Sequence, residues 1–357
     1  MIPDSEKTLN YIYQVVPKCG GVSCGVSDYS SLVGKCLEAD YGMITSFLTV
    51  EKGLEAEVGG SRIQQIERSS ANLASILEGQ LEVLLHFVGY GFQKRGCPIW
   101  LLAGLKRWKR ENINGRLVTM FHELYATGLP WQSSFWTSPL QRWICRDLAR
   151  LSDGIVTSRE ESAKILHRMT GREDIISLPV FSSMGEPVCN IPLAGREPLL
   201  ILFGGKAWRT TAWVKDRDDV MAACRKWGIE EIVEIGAGQT PEVDLGIPVR
   251  RLGRLSAEEV SLWMDRCRLG FVSYPSNYLE KSSIFAAYAA HGVVPVLPQR
   301  SIVPQTLGVT ENRHFVSPGG GEESIAFLEG RSREVFAWYQ GHSSTRHAKI
   351  FAKLFGQ

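Results

Sequence analysis

The sequence lacks the features that would assign a chain to a class at once. It has no apolar run near the roughly 20 residues that a membrane-spanning helix needs, and neither an internal repeat nor a low-complexity tract. Lysine and arginine number 40 and aspartate and glutamate 38, so the formal net charge is only +2. Because so small a charge gives no global reason to bind nucleic acid, we predict no nucleic-acid partner, and an anion site must be local.

Cysteine is used without an evident pattern. Eight cysteines are scattered through 357 residues, and Cys19 and Cys24 lie five apart with no second pair at the spacing of a zinc site. Ordinary thiols are the simpler interpretation, and we predict no metal site. The stretch MIPDSEKTLNYIYQ has no basic region followed by an apolar one, which favours a reduced, cytoplasmic protein.

The sequence does have a regular alternation of apolar runs and amphipathic segments. In the first half, the strand-like runs LEVLLHFVGY, RLVTMFHELY and DGIVTS alternate with SSLVGKCLEA and PLQRWICRDLARL, which have helical spacing. A proline-rich stretch without periodicity follows, and the alternation then restarts and ends with the run RHFVSP. This pattern is typical of parallel sheets covered by helices.

Length and pattern together predict two domains. A chain of 357 residues is too long for one ordinary core and suits two of about 150 residues. We predict doubly wound α/β domains at 1–178 and 199–331, joined by a linker at 179–198, with a helical segment at 332–357 that could pack on either domain. Ligands bind at the carboxyl ends of such strands, so the predicted site is a cleft between the two sheets.

The segment SYPSNYLEKSSIFAAYAAHG predicts a phosphate site in the second domain. A helix that begins near Ser282 directs unpaired amide groups at a ligand. Ser282 and Ser283 add hydroxyl donors, and Lys281 adds a full positive charge. The alternative is that Ser282 only caps the helix and that Lys281 is a solvated side chain.

Glycines at other predicted strand ends extend this site. A glycine lets the backbone approach a ligand closely, and a neighbouring arginine would neutralise a phosphate. The spacing matches neither a Walker A loop nor the dinucleotide fingerprint. The predicted phosphate contacts here are Gly204, Gly205 and Arg209, and the predicted nucleotide or sugar contacts are Gly236, Gly253 and Arg254.

The order of these motifs resembles the donor domain of nucleotide-sugar glycosyltransferases with the GT-B fold, specifically family 4. That family has Pro-Ser-x-x-Glu before its helix, and this chain has Pro275, Ser276 and Glu280, with the glutamate displaced by one residue and Tyr274 just before them. The resemblance implies that Glu280 and Tyr274 contact the nucleotide or sugar.

The chain departs from the family at a second glutamate, which should follow the first by eight residues. Counting on from Glu280 reaches Tyr288, whereas counting back from Gly292 reaches Ala287. The family's carboxylate is missing under either count. Lys281, Ser282 and Ser283 stand where the family has a glycine-rich turn.

In the first domain, a glycine-rich turn follows the first predicted strand. Gly25, Ser27, Asp28 and Tyr29 resemble the family's Gly-Val-x-Asp-Tyr sequence, which implies a place beside the acceptor and the donor phosphate. Asp28 or Ser27 could equally be the N-cap of the next helix. Tyr90 follows another strand and is a further candidate for the rim of the cleft.

His122 and Glu123 follow the apolar run RLVTMF. Family members place a His-Asp or His-Glu pair at this point, and the resemblance implies that His122 hydrogen bonds to a hydroxyl of the transferred sugar. A lone histidine on an apolar strand is otherwise a satisfied core residue.

Tryptophans and basic residues cluster near His122. Most tryptophans serve core packing, but exposed rings can stack on sugars, and a basic aromatic patch can contact an anionic membrane. All three interpretations stay open, including peripheral membrane association. The tryptophans are Trp100, Trp108, Trp131, Trp136 and Trp143, and the basic residues are Lys106, Arg107, Lys109 and Arg110.

Together these features predict a hexosyltransferase that needs no metal or cofactor and transfers a sugar from a nucleoside diphosphate sugar to an unknown acceptor, which is a sugar, a lipid or a small molecule. The resemblance also implies retention of anomeric configuration. Two alternatives stay open, namely an epimerase or phosphorylase on the same fold, and a nonenzymatic homologue that binds a nucleotide sugar.

Overall fold

The computed structural model describes residues 10–19, 25–51, 57–58, 60–188, 191–242, 246–303 and 308–357. Most of the glycine-rich turn after the first strand, including Cys24, lies outside the described residues, as does Cys189. The chain divides into two compact units, Met1–Leu178 with Ser344–Gln357, and Pro179–Ser343.

The described part of the first unit contains an eight-stranded sheet. Its strands are β1 (Asn10–Val16), β2 (Met43–Thr49), β3 (Glu57–Val58), β4 (Ser61–Gln65), β5 (Glu82–Phe87), β6 (Arg116–Phe121), β7 (Gly154–Thr157) and β8 (Ile175–Ser177). Their order is β3-β4-β2-β1-β5-β6-β7-β8, and every pair is parallel except β3 with β4. The central strands β5 and β6 are buried after their first residue, as expected where helices cover both faces of a sheet.

Helices follow these strands along the chain. They are α1 (Gly25–Tyr41), α2 (Ser70–Ile76), α3 (Gly89–Phe92), α4 (Ile99–Glu111), α5 (Ser133–Leu151) and α6 (Glu160–Thr170). The core of this unit lies where α2, α4 and α5 meet the sheet, and Trp108 of α4 is fully buried in it. Trp108 is therefore a core residue, and its indole nitrogen donates to the carbonyl of Gln80 over 3.0 Å.

In its described residues, the second unit contains a five-stranded parallel sheet. Its strands are β9 (Glu197–Phe203), β10 (Glu231–Ile235), β11 (Val249–Gly253), β12 (Cys267–Phe271) and β13 (Val294–Val296), in the order β11-β10-β9-β12-β13. Its helices are α7 (Lys206–Val214), α8 (Arg217–Lys226), α9 (Ala257–Arg266), α10 (Ser283–Ala290) and α11 (Ile325–Gln340). The predicted last strand RHFVSP is instead an isolated bridge from Val316 to Val296.

The segment predicted as one terminal helix, 332–357, divides between the units. Its first part belongs to α11, and the chain then returns to the first unit as α12 (Ser344–Phe355). His347 Nδ1 of α12 lies 2.6 Å from the Tyr29 hydroxyl of α1. The predicted linker falls within the second unit, where the Ser182 amide donates to the Tyr339 hydroxyl over 2.7 Å. Among the described helices, each is too short or too polar to cross a bilayer.

The two sheets confirm the predicted fold class of two doubly wound α/β units. In the first sheet the chain proceeds from β1 to β2 on one side, while β5 pairs with the other side of β1. In the second sheet β9 is flanked in the same way by β10 and β12. Such switch points, at the carboxyl ends of the strands, are where open α/β sheets bind ligands.

Gly270 of β12 tests the contact between this sheet and α10. A Cβ at Gly270 would lie 2.6 Å from ring carbons of Tyr288, whereas a Cβ at Gly330 in α11 would meet nothing within 4 Å. We expect Gly270→Ala to lower the free energy of unfolding by about 1–3 kcal/mol through overpacking. Gly330→Ala, the matched control, should be neutral or stabilising by up to about 1 kcal/mol. Urea unfolding measures both, and equal midpoints for the two variants would contradict this packing.

Candidate functional site

A cavity of about 170 Å³ lies at the switch point of the second unit, where β9 and β12 end. It brings predicted phosphate ligands from the entrance of α10 together with residues that follow the two strands. The lining residues are Leu202, Phe203, Trp208, Phe271, Val272, Ser273, Tyr274, Lys281, Ser282, Ser283 and Ile284.

The entrance of α10 has the geometry of both a capped helix and an anion site. Ser282 is the N-cap, and its hydroxyl oxygen accepts from the Phe285 amide over 3.2 Å. The first helical hydrogen bond runs from the Ala286 amide to the Ser282 carbonyl over 2.9 Å. The amides of Ser283 and Ile284 therefore lie in the first turn, where the helix supplies no acceptor for them. The capping role of Ser282 is present in the structure, and it leaves the positive end of the helix facing the cavity.

Ser273 is a candidate that the sequence analysis missed. It lines the cavity and is 7% exposed, yet its hydroxyl has no hydrogen-bond partner among the described residues. An unsatisfied buried hydroxyl costs about 1–3 kcal/mol, which a ligand in this cavity would recover. Trp208 and Tyr274 flank the same space with ring centroids 5.0 Å apart. No sequence signal distinguished Ser273, because a serine after a strand is common.

The structure places Arg209 differently from the expectation that it binds a phosphate. Its side chain is buried and pairs with the Glu234 carboxylate. Its Nε donates to the Gly204 carbonyl over 2.8 Å, and its Nη2 donates to the carbonyls of Ala237 and Gly238. The guanidinium thus joins the loops after β9 and β10, and its forked donors are directed at protein acceptors.

Glu234, which the sequence analysis also missed, anchors this arrangement. Besides Arg209 it accepts hydrogen bonds from the Trp213 indole over 3.0 Å and from the Thr240 hydroxyl over 2.7 and 2.9 Å. Arg251 lies 3.2 Å from its second oxygen. A buried carboxylate with this many donors is stably accommodated, so we assign the Arg209 and Glu234 pair to the scaffold of the site.

The predicted glycines lie side by side at the carboxyl ends of β9, β10 and β11. The Gly236 amide donates to the Gly253 carbonyl over 2.7 Å, and a Cβ at Gly236 would lie 2.2 Å from the Gly204 carbonyl oxygen. Gly205 is the N-cap of α7, and Arg254 is exposed beside Gly253. The loops approach each other more closely than any side chain at position 236 would allow.

Glu280 does not line the cavity. It lies in a 3-10 turn, Ser276–Lys281, where its carbonyl accepts from the Val180 amide over 2.9 Å and its carboxylate lies beside Gly308. Ala287 and Tyr288, the two positions counted for the second glutamate, are both fully buried. The Tyr288 hydroxyl donates to the Ile201 carbonyl over 3.2 Å. The apolar side of α10 therefore serves packing against β9.

In the first unit, His122 follows β6 and belongs to a chain of hydrogen bonds below the carboxyl edge of the sheet. His122 Nε2 lies 3.1 Å from His86 Nδ1, and His86 Nε2 lies 2.8 Å from Gln14 Oε1. Gln14 is on β1 and His86 on β5, so the chain crosses the switch point of this sheet. Sequence analysis missed His86 because its strand reads as a buried apolar run.

These hydrogen bonds fix the tautomer of His122. Burial lowers the pKa of His86 to about 3, so its imidazole is neutral. Gln14 Nε2 donates to the Thr45 hydroxyl over 3.4 Å, which turns Gln14 Oε1 toward His86 as an acceptor. His86 Nε2 therefore carries the proton, and His86 Nδ1 accepts from Nε2 of His122. In this tautomer the lone pair of a neutral His122 is on Nδ1.

Tyr29 packs against these histidines. Its ring meets the His122 ring edge-on with centroids 4.9 Å apart, and it is 5% exposed. Ser27 is also buried, so neither it nor Tyr29 presents its side chain as an open acceptor loop would. Gly25 is exposed at the start of α1, and Asp28 is half-buried, which raises the pKa of its carboxyl group. Tyr29 thus packs against His122 and helps to hold its ring in place.

The loop after His122 is tied to α5. Glu123 is exposed, and its amide and that of His122 both approach the Phe87 carbonyl. Gln141 of α5 accepts from the Ala126 amide over 2.8 Å and donates to the Tyr90 hydroxyl over 3.2 Å. Tyr90 is 44% exposed on α3, so it lies at the surface beside this loop.

The described residues contain no group of three or more histidine, cysteine, aspartate or glutamate side chains able to hold a metal ion. The sequence has one Asp-x-Asp string, Asp216-Arg217-Asp218. Asp216 is buried in an ion pair with Arg300, with contacts of 2.5 and 2.8 Å. This string starts α8 and is not part of the cavity lining.

The depressed pKa of His86 predicts acid sensitivity. An unfolded histidine takes up a proton below about pH 6.5, whereas folded His86 stays neutral until about pH 3. Stability that is fully present above pH 6.5 is therefore lost as the pH falls. Between pH 6.5 and 5 the loss from His86 should reach about 2 kcal/mol. Urea unfolding of the wild type and of His86→Gln across this range checks it, and parallel profiles would contradict it.

No protein-family model matches the sequence. No curated protein matches it either.

Solved structures do match the fold along nearly the whole chain. An alpha-glucosyltransferase (AGT) in complex with UDP has a TM-score of 0.57 and 10% sequence identity, with 98% of this chain and 100% of that chain covered. TarM has a TM-score of 0.62 and 8% identity, with 98% and 99% covered. An alpha-glucosyltransferase in complex with UDP and a 13-mer DNA has a TM-score of 0.54 and 10% identity, with 97% and 99% covered.

These structural matches establish the fold. At sequence identities this low they do not test the predicted membership of family 4. The matched structures are GT-B glycosyltransferases, and their two Rossmann-like domains correspond to the two doubly wound units of this chain. The chain is therefore a protein of the GT-B fold.

Proposed function

We propose that this chain is a glycosyltransferase that transfers a sugar from a nucleoside diphosphate sugar to an acceptor. The observation that carries the proposal is the cavity at the β9 and β12 switch point, where Lys281, Ser283 and the first-turn amides of α10 converge. The donor diphosphate lies against these groups, and the reaction is retaining and independent of metal ions.

Physical chemistry supports a diphosphate at this point. Lys281 supplies a full charge and the end of α10 a partial one, and both favour an anion. As the bond from the sugar to the diphosphate breaks, negative charge grows on the leaving phosphate, so preorganised donors stabilise the transition state more than the ground state. Ser273, whose buried hydroxyl has no partner among the described residues, supplies a further hydrogen bond.

His122 contacts the transferred sugar in the proposed reaction. Its Nε2 is engaged with His86 Nδ1, and a hydroxyl of the sugar meets another edge of the ring. Because His86 and Tyr29 hold the ring on two sides, its direction is set before the donor binds, which lowers the entropic cost of alignment. His122 transfers no proton in this reaction, because the leaving phosphate assists the acceptor instead.

The matched structures support a nucleotide-sugar donor, because alpha-glucosyltransferases with this fold bind UDP or UDP-glucose. The expectation that nucleic acid is not a partner receives no support, since a matched alpha-glucosyltransferase is bound to DNA. Cytoplasmic location and hexose as the transferred sugar remain proposals from the sequence.

One observation favours a second function, the binding of a nucleotide sugar without turnover. Ala287 and Tyr288 are both buried, so α10 offers no carboxylate at either position counted for the family's second glutamate. Titration calorimetry with UDP, GDP and ADP, with and without magnesium, followed by a donor-hydrolysis assay, separates the two. Binding without turnover supports the nonenzymatic function, and failure to bind any of the three refutes both.

Lys281→Ala tests the phosphate site. Loss of a charged hydrogen bond of about 1.5–3 kcal/mol should weaken the affinity for the preferred nucleoside diphosphate by about ten- to hundredfold in calorimetry. The control is Lys215→Ala, which removes an exposed lysine at the C-terminal end of α7 in the same unit. It should leave the affinity for the nucleoside diphosphate unchanged. An unaltered dissociation constant in Lys281→Ala would remove the diphosphate from this cavity.

His122→Ala tests the sugar contact. Turnover of the donor should fall by about tenfold or more, because a hydrogen bond to the reacting sugar is lost, while the affinity for the nucleoside diphosphate stays within about twofold. The control is His167→Ala, which removes an exposed histidine of α6. Full turnover in His122→Ala would return His122 to a purely structural role.

A further inference from the structure

A wide groove lies on the first unit, between the loop after His122, the exposed side of α5 and the end of α6. Its volume is about 1050 Å³, several times that of the cavity in the second unit. We call it the α5 groove and define it by its four rings and three guanidinium groups, namely those of Tyr125, Phe135, Trp136, Trp143, Arg142, Arg146 and Arg168.

The rings of the α5 groove face solvent. Trp136 is 73% exposed, Phe135 41% and Trp143 38%. Phe135, Trp136 and Trp143 recur with Arg142 and Arg146 along one side of α5, at the spacing of three, four and seven residues that places side chains on one helical face. Large exposed aromatic side chains in one groove mark a binding surface and are not expected of a surface that only meets water.

The charge of the α5 groove is of one sign. Its lining includes three arginines and no carboxylate. Arg142 lies over the Tyr125 ring, 5.2 Å from its centroid. Arg146 pairs with Asp147 through Nη2 over 3.5 Å, while its Nε is buried without a partner among the described residues. Arg168 makes an exposed ion pair of 3.8 Å with Glu161, which contributes little. The groove is therefore locally cationic, although the whole chain is almost neutral.

The α5 groove adjoins the carboxyl edge of the first sheet. α5 begins after the loop that leaves β6 at His122, and the Ala126 amide in that loop donates to Gln141 of α5 over 2.8 Å. Tyr125 in this loop and Phe135 and Trp136 at the start of α5 are thus the groove residues nearest in sequence to His122.

We propose that the α5 groove binds single-stranded nucleic acid. Bases stack on exposed aromatic rings, and guanidinium groups pair with phosphates and also stack, a combination typical of sites that bind single strands. A bilayer is the competing partner, and exposed Leu129, Trp131 and Leu140 beside the groove would suit it. The concave shape and the arginines among the rings favour a chain that enters the groove. Its use as the acceptor surface rests on the proposed glycosyl transfer.

Fluorescence anisotropy with a labelled oligothymidine of about 20 nucleotides tests the proposal on the full chain. If the three arginines contact three phosphates, raising the salt from about 50 to 200 mM should weaken binding about twentyfold. In Arg142→Gln/Arg146→Gln the same change in salt should weaken it only about threefold. Trp136→Ala should lower the affinity at least fivefold through lost stacking.

Arg62→Gln is the matched control. Arg62 is an exposed arginine of the first unit on β4, at the opposite end of the sheet from β7 and β8, and its loss should leave oligonucleotide binding unchanged. Thermal unfolding and the affinity for UDP, measured on every variant, show that the fold and the donor site are intact.

Two results overturn the proposal. One is a failure of the wild type to bind the oligonucleotide, or an affinity for it that Arg142→Gln/Arg146→Gln leaves unchanged. The other is that the wild type does not bind the oligonucleotide but sediments with phosphatidylglycerol vesicles, and that Leu129→Ser/Trp131→Ser abolishes this sedimentation. UDP titration separates this test from that of the proposed function. If the protein binds the oligonucleotide but no nucleoside diphosphate, the proposal for the α5 groove stands and the proposed glycosyltransferase function is refuted.

Discussion

Parallel pairing of the central strands is the constraint on which both candidate sites depend. It sends the carboxyl ends of neighbouring strands to one edge, and the change in strand order beside β1 and beside β9 opens a gap between diverging loops. The cavity with Lys281 lies at one of these points, and the hydrogen-bond chain of Gln14, His86 and His122 crosses the other. The side chains differ in chemistry, but the sheet selects where each can act.

Burial separates the charged groups that hold the structure from those that can meet a ligand. Arg209 and Glu234 are almost fully buried, and the guanidinium donates to Glu234 and to backbone carbonyls of the loops after β9 and β10. Breaking such a pair leaves an uncompensated charge, so its function is to keep two loops in place. Lys281 instead lines an open cavity at the positive end of α10. The same logic applies to the histidines, since buried His86 stays neutral and thereby orients His122.

Net charge averages over the whole surface and therefore does not report the charge of a single groove. A formal charge of +2 argued against nucleic acid, yet the α5 groove collects three arginines and no carboxylate. Local potential depends on which side chains the fold brings together, and helix α5 aligns its arginines and rings on one face. The tryptophans divide in the same way, with Trp108 in the core and Trp136 in the groove.

The sequence by itself determined the fold class, because apolar runs closed by glycine or proline report parallel strands and their ends locally. It also located His122, Lys281 and the glycines at strand ends, while their roles in binding stay predictions. Only the tertiary structure decided the partners of Arg209, the support of His122 by His86, and the return of α12 to the first unit. These depend on contacts between residues far apart in the chain, for which a local pattern carries no signal.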